Sequence, residues 1–152
     1  MTIGAAEPRT AEQRKIDTLA RLDADIDAWV ASADATGNAY LVPLSYVWDG
    51  TVFTMATPAA SPTARNLTAS GHVRMAIGPT RDVILIEGVV VAYGLETVPV
   101  AVADAFAAKL WDARRDRTPP AFFQITPRRI QAWREANELK GRDLMRDGRW
   151  LV

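Results

Sequence analysis

A mainly β fold, with antiparallel strands forming a barrel or sandwich and helices at its periphery, is what this sequence predicts, on three observations. About six or seven short apolar segments follow one another with turn residues between them. Their connections are tight, which suits antiparallel neighbours better than the long crossovers of a parallel sheet. Neither a G-x-G-x-x-G string nor a phosphate loop is present, so the usual signatures of a nucleotide-binding parallel fold are missing.

Each element follows from its residues. Thr10 with Gln13 three positions on reads as a capping box, and Ile16, Leu19, Leu22 and Ile26 recur at helical spacing, so a helix is predicted over about residues 10–24. Residues 26–32 read as a strand leading into a turn at Asp34, Gly37 and Asn38. From Tyr40 to Trp48 apolar residues fall on both faces of a second strand, which predicts contacts on both. Pro43 cannot donate to a ladder and calls for an edge or a bulge beside it. Asp49-Gly50 predicts a two-residue hairpin returning through residues 52–56.

A short helix is then predicted from Ser61, a preferred N-cap, and Pro62, suited to the first helical position, to Gly71. Arg65 ends its first turn, where a cation opposes the positive end of the helix dipole. An anion such as a cofactor phosphate would relieve that mismatch, and so would an ordinary pairing with a nearby carboxylate. Val73, Met75 and Ile77 alternate as a strand, Gly78-Pro79 turns the chain, and residues 83–93 form the most apolar run. Glu87-Gly88 interrupts that run, which predicts a bulge or a close backbone approach with Glu87 outward. Thr97 reads as the cap of a third helix carrying Val102, Phe106, Leu110 and Ala113 on one face. Residues 121–126 read as a strand stopped by Pro127, and Asp147-Gly148 as the turn of a last hairpin.

Composition bounds the function. At 152 residues one domain, 1–152, is expected, with 49% hydrophobic and 24% charged residues, as in ordinary globular proteins. Eighteen basic residues balance eighteen acidic ones, so no global field recruits nucleic acid. Cysteine is absent and His72 is the single histidine, which argues against thiolate chemistry, metal sites and a Ser-His-Asp triad, and makes His72 a surface residue at a strand start. No signal-peptide pattern or membrane-spanning run is read, so the expected location is cytoplasmic. Trp29, Trp48 and Trp111 read as core or interface anchors, and Arg128-Arg129 as solvated.

Four strings appear in order: Gly50-Thr51-Val52-Phe53, then Ser61-Pro62-Thr63-Ala64-Arg65-Asn66-Leu67, then Ile125 to Trp133, then Leu139-Lys140-Gly141-Arg142 with Trp150 near the end. In order and spacing they resemble the pyridoxamine 5'-phosphate oxidase-like, flavin-binding split-barrel family, including its deazaflavin-dependent branch. The resemblance implies a six-stranded antiparallel split β-barrel that forms a homodimer and binds FMN or F-420 (the deazaflavin) in grooves at the subunit interface. It assigns the cofactor phosphate to Ser61, Thr63 and Arg65 with Asn66 beside them, the ring to Leu44, Ser45 and Thr57, and a contribution from the partner subunit to Trp133 and Arg142. No catalytic side chain and no metal are implied, because the cofactor carries the chemistry. Tyr40, Ser45 and Thr63 stand where the oxidase itself carries basic residues, and Glu138-Leu139-Lys140 replaces its Arg-x-His substrate motif. A carboxylate at Glu138 would repel a phosphorylated substrate, so the expected substrate is another small organic molecule. The reading is therefore an FMN- or F-420-dependent oxidoreductase, with a non-catalytic cofactor- or haem-binding barrel as the alternative.

Overall fold

A computed structural model describes residues 6–152. Eight strands form one antiparallel sheet: β1 (Asp27–Ala33), β2 (Ala39–Trp48), β3 (Phe53–Pro58), β4 (His72–Ile77), β5 (Val83–Tyr93), β6 (Pro120–Trp133), β7 (Asp143–Arg146) and β8 (Arg149–Trp150). Their order is β3-β2-β1-β4-β5-β6-β7-β8, and β3 also pairs with β6, so the first six close a barrel and the last two extend it. The β3–β6 pairing joins the two edges that an open six-stranded sheet would leave free, although the first half of β2 and the outer side of β8 stay unpaired. Three helices, α1 (Ala11–Ala24), α2 (Pro62–Ser70) and α3 (Val100–Lys109), lie around it.

The barrel interior is one apolar cluster built from inward residues of every strand, with Tyr46, Phe53, Met55, Met75, Ile77, Ile86, Phe123 and Ile125 almost fully buried. Helix α1 contributes Leu22, whose carbonyl accepts the Tyr46 hydroxyl at 2.9 Å. Burial pushes the Tyr46 phenol well above its ordinary pKa. A second cluster lies under α3, where Ala103 and Phe106 cover Phe122 and Ala56, the Phe106 and Phe122 rings meeting edge to face at 6.0 Å.

Several expectations hold and several are corrected. Thr10 caps α1 by accepting the Gln13 N–H at 3.1 Å, but the Gln13 amide donates to Asp17 instead of closing a capping box. Pro43 faces a free edge: Ala39 to Ser45 of β2 pair with β1 alone, while its pairing with β3 covers Tyr46 to Trp48. Only the second half of β2 is buried; Tyr40 and Leu41 are exposed, so contacts on both faces are not made within the chain. The β2–β3 turn is not a two-residue hairpin. Trp48 pairs with Phe53, leaving a four-residue loop that Asp49 closes by accepting the N–H groups of Thr51 and Val52 at 2.8 and 2.7 Å.

Glu87 points outward to Arg74 at 2.8 Å, and the bulge stands at Glu87/Gly88. A Cβ on Gly88 would lie 2.6 Å from Ile125 Cγ2 and 3.1 Å from the Thr126 carbonyl, so glycine is required by close approach there. Pro127 does not stop the strand: β6 runs through it, with Pro127 paired to Gly88 where the register shifts, the kind of irregularity at which a strand tolerates proline. Thr97 does not cap α3; its hydroxyl accepts the Gly94 N–H, the N-cap position falls on Pro99, and Ala113 lies in a separate 3-10 turn. Asp147 and Gly148, both at positive φ, make the predicted last hairpin. Trp48 belongs to the core, whereas Trp29 and Trp111 are exposed. His72 begins β4 at the surface, as expected.

Candidate functional site

Helix α2 forms as its residues dictate. The Ser61 hydroxyl accepts the Ala64 N–H at 3.1 Å, Pro62 sits in the first turn, and Gly71 closes the helix at φ 70. Thr63, Ala64 and Leu67 are its buried face. The opposite face carries Arg65 and Asn66, and the Asn66 amide donates to Ser32 Oγ on β1 at 3.1 Å. Between this face and the β1–β2 hairpin lies a cavity of about 550 Å3, with Tyr40, Arg65, Asn66, Asp34 and Asn38 on its walls among several alanines. Its size is within the range of small-molecule sites, roughly 300–1,000 Å3.

Arg65 is exposed, lines this cavity and makes no ion pair among the described residues. Asp34, the carboxylate on the same wall, is already occupied: the Thr36 hydroxyl at 2.8 Å, with the backbone N–H and side-chain amide of Asn38, holds it down to about 2. The cation at the start of α2 thus has no ion-pair partner among the described residues, so the pairing with a nearby carboxylate is not made and its guanidinium is open to the cavity and to solvent. The helix mouth itself offers less than its first-turn N–H groups suggested. Pro62 has none, Ala64 donates to Ser61 Oγ and Arg65 to the Ser61 carbonyl, which leaves at most the Thr63 N–H. An anion at this helix would be held chiefly by side chains.

The other predicted residues distribute as follows. Ser61 is the cap, and the Thr63 side chain is buried against the barrel. Thr57 is half-buried and pairs with Ala121 across the β3–β6 seam. Leu44 packs on the core, and the Ser45 hydroxyl donates to Asp27 at 2.6 Å. Trp133 and Arg142 pair with each other, the guanidinium stacked 5.6 Å from the indole centroid. They are remote from α2: Trp133 pairs with Val83, whereas the end of α2 meets Val90, whose N–H donates to the Gly71 carbonyl. From Val83 to Val90 is roughly 23 Å of strand at about 3.3 Å per residue. One copy of the chain does not bring the two halves of the predicted site together. Asp34 and Asn38 line the cavity without having been predicted for it, and Tyr40, read from the sequence only as replacing a basic residue of the oxidase, lines it too; the turn chemistry of residues 34–38 was legible, but not that the hairpin folds toward α2.

Glu138 requires a correction. It does not face a substrate: it is 2% exposed and accepts Arg9 Nη2 at 2.8 Å, Arg9 Nε at 3.0 Å, the Arg9 N–H at 2.9 Å and the Arg134 N–H at 2.8 Å. The Arg9 guanidinium, first among these, pulls its carboxyl down to about 2, and Arg9 is raised in turn. Its charge is neutralised inside the protein, so repulsion of a phosphorylated ligand does not follow. Arg129 is likewise not simply solvated, since its guanidinium reaches Asp143 at 3.1 Å. Among the described residues no group of His, Asp or Glu is arranged to hold a metal ion, and no helix is long and apolar enough to cross a membrane.

Comparison with known proteins gives these relations. The sequence model described as pyridoxamine 5'-phosphate oxidase matches residues 19–134. No curated protein sequence matches the chain. Among solved structures, a FAD-binding protein from Mesorhizobium loti is 18% identical, with 76% of this chain and 90% of that chain covered and a TM-score of 0.59. A structure named F420 reductase is 16% identical, with 73% and 93% covered and a TM-score of 0.56. The heme storage protein HutZ from Vibrio cholerae is 12% identical, with 78% and 93% covered and a TM-score of 0.63. At these identities the likeness is one of fold.

Proposed function

The chain belongs to the pyridoxamine 5'-phosphate oxidase family, and from that premise we propose that it binds FMN or the deazaflavin F-420 and passes a hydride between that cofactor and a small organic substrate. The observation that carries the reading is Arg65: a guanidinium at the opening of α2, without an ion-pair partner among the described residues, on the wall of a cavity of about 550 Å3. A buried or cleft-lining cation left unpaired is suited to a phosphate, which its planar fork binds in a bidentate manner. The donor set fits the anionic end of either cofactor. The F420 reductase fold-relative and the Ala64-Arg65-Asn66-Leu67 string favour F-420 over FMN.

In this reading Arg65 and Asn66 bind the phosphate, and Ser61 and Thr63 fix the helix turn that aims them. The outer edge of β2 at Leu44 and Ser45, with Thr57, flanks the ring. Trp133 and Arg142 come from a second copy, because in their own copy they lie at the far end of β5. The exposed apolar residues of β1 and β2, Trp29 and Leu41, supply a surface for that partner, and its arrival would exclude water from the site. The bound cofactor supplies the hydride chemistry; the protein's part is to bind, orient and keep water out. The expected location remains cytoplasmic.

A second reading is supported by one observation: the cavity has a single cation, where the oxidase-like pattern calls for several. Each absent charge-assisted contact lowers affinity by on the order of 1.5–3 kcal/mol. That deficit, with HutZ among the fold relatives, supports a carrier of a flavin or haem that performs no turnover. Titration of the purified protein with FMN, F-420 and haem, followed by absorbance, tests both readings. The proposal predicts saturable binding of FMN or F-420 to a dimer and substrate-dependent oxidation of the reduced cofactor. Binding without turnover favours the carrier, and a monomer that binds none of the three contradicts both.

A further inference from the structure

The loop between β6 and β7 carries Arg142 at its end and begins just after Trp133. Apart from the Arg81–Glu135 pair, the long-range side-chain hydrogen bonds of residues 135–142 run, among the described residues, to residues 6–14 alone. Asn137 donates to the Ala6 carbonyl at 2.9 Å, Glu138 accepts Arg9, and Arg14 Nη1 donates to the Gly141 carbonyl at 2.8 Å. The N-terminal segment and α1 thus clasp the loop. Helix α1 is itself seated on the barrel, with Leu22 buried and its carbonyl accepting the Tyr46 hydroxyl.

Arg14 is the odd member of this clasp. It is 5% exposed, yet no carboxylate pairs with it among the described residues, and its Nε has no hydrogen-bond partner. Its Nη2 adds only a long bond to the Arg9 carbonyl at 3.3 Å. A guanidinium buried without a counter-charge costs free energy that an apolar side chain of similar length would not. For stability alone it is a poor choice. What it supplies is a hold on one carbonyl, and that carbonyl belongs to the peptide joining Gly141 to Arg142. Gly141, at φ 75, turns the chain there, so the peptide plane that Arg14 grips sets the direction in which Arg142 leaves the turn. The Arg142 side chain is then braced twice, 5.6 Å from the Trp133 indole centroid and donating to the Leu139 carbonyl at 3.1 Å.

We propose that Arg14 is a positioning residue: by holding the Gly141 peptide it fixes Arg142 in the orientation from which its guanidinium serves the cofactor site of the second copy of the chain. Delivery across the subunit interface rests on the function proposed above; the hold of Arg14 on Arg142 does not. An unpaired buried charge at the root of a ligand-binding side chain gives up stability where geometry is needed. Arg9 and Glu138, by contrast, satisfy each other and anchor the same loop without that cost.

The test compares Arg14→Met, Arg142→Gln and the double variant in the full chain. Each is titrated with FMN and F-420 and unfolded in urea, and the Arg142 Nε–Hε and Trp133 indole signals are read by NMR without cofactor. Arg14→Met should weaken cofactor binding at least fivefold and shift both signals, while the urea midpoint holds or rises. On the Arg142→Gln background the same substitution should change affinity less than twofold, because Arg14 acts through Arg142. A residue that merely stabilised the fold would lower the midpoint and give a loss independent of Arg142. Unchanged affinity, unmoved signals, or a fivefold loss that persists on the Arg142→Gln background overturns the proposal. Should Arg14→Met fail to fold, Arg14→Lys, which keeps the charge and loses the fork, takes its place in the cycle. A loss of at least twofold that vanishes on the Arg142→Gln background then supports the proposal, and no loss overturns it. If the wild type binds neither cofactor, the function proposed above fails, and the two NMR signals alone decide whether Arg14 positions Arg142.

Discussion

Two arginines of this molecule have opposite fates. Arg9 is enclosed by Glu138, Asp17 and Asp82 and ties the N-terminal segment to the loop after β6. Arg65 stands at the opening of α2 with no ion pair among the described residues and a cavity in front of it. The first cation is satisfied by the protein and contributes to folding; the second, in the function proposed above, is what meets the anionic end of a bound cofactor. The difference teaches where to look for function in a chain of zero net charge: at the charges that the fold leaves uncompensated.

The comparison breaks most visibly at the satisfied pair. Glu138→Gln takes the closest of three carboxylates from the buried Arg9, which keeps Asp17 at 3.1 Å and Asp82 at 3.7 Å, and urea unfolding should register a loss on the order of 3 kcal/mol, the low end for a broken buried pair. A loss below about 1 kcal/mol would show that the pair is not the staple described.

The same pair sets an acid limit. The carboxyl of Glu138 is lowered from the ordinary 4.5 to about 2, so its stabilisation is complete above the unfolded pKa and disappears as pH falls through the folded one. Between about pH 5 and pH 2 the wild type should lose on the order of 3 kcal/mol through this group. Glu138→Gln should show a correspondingly flatter stability profile across that window, and parallel profiles would remove Glu138 from the account.

Next in size is a backbone test away from both arginines. Gly88→Ala brings a Cβ to 2.6 Å from Ile125 Cγ2, a side chain fixed in the core. A loss of about 1–3 kcal/mol is expected at the bulge, and a neutral result would mean that the β5–β6 seam yields. Smallest is the effect of Arg65→Ala on stability, within about 0.5 kcal/mol, because nothing in the fold leans on that guanidinium.

Much of this was legible in the sequence because it is local. The caps at Thr10 and Ser61, the glycine that ends α2 and the alternation of Val73, Met75 and Ile77 each depend on neighbours a few residues away. The misreadings came where tertiary pairing decides. Pro127 ends a strand by local rules and continues one here because its partner is the bulge glycine. Thr97 looks like a cap and is engaged by Gly94. Glu138 looked like a substrate-facing carboxylate because Arg9, its partner, is 129 positions away in the chain. At the site, Arg65 announced itself by opposing a helix dipole, whereas the approach of Tyr40 and Asp34 to α2 depends on how a hairpin folds over.

The most direct test of the central claim is a cofactor titration of Arg65→Ala beside the wild type, with urea unfolding measured on the same samples. The account predicts that affinity for FMN or F-420 falls at least tenfold, about 1.4 kcal/mol, while the unfolding curve stays where it was. Unchanged affinity with intact folding would contradict it, since the unpaired cation would then have no ligand to meet.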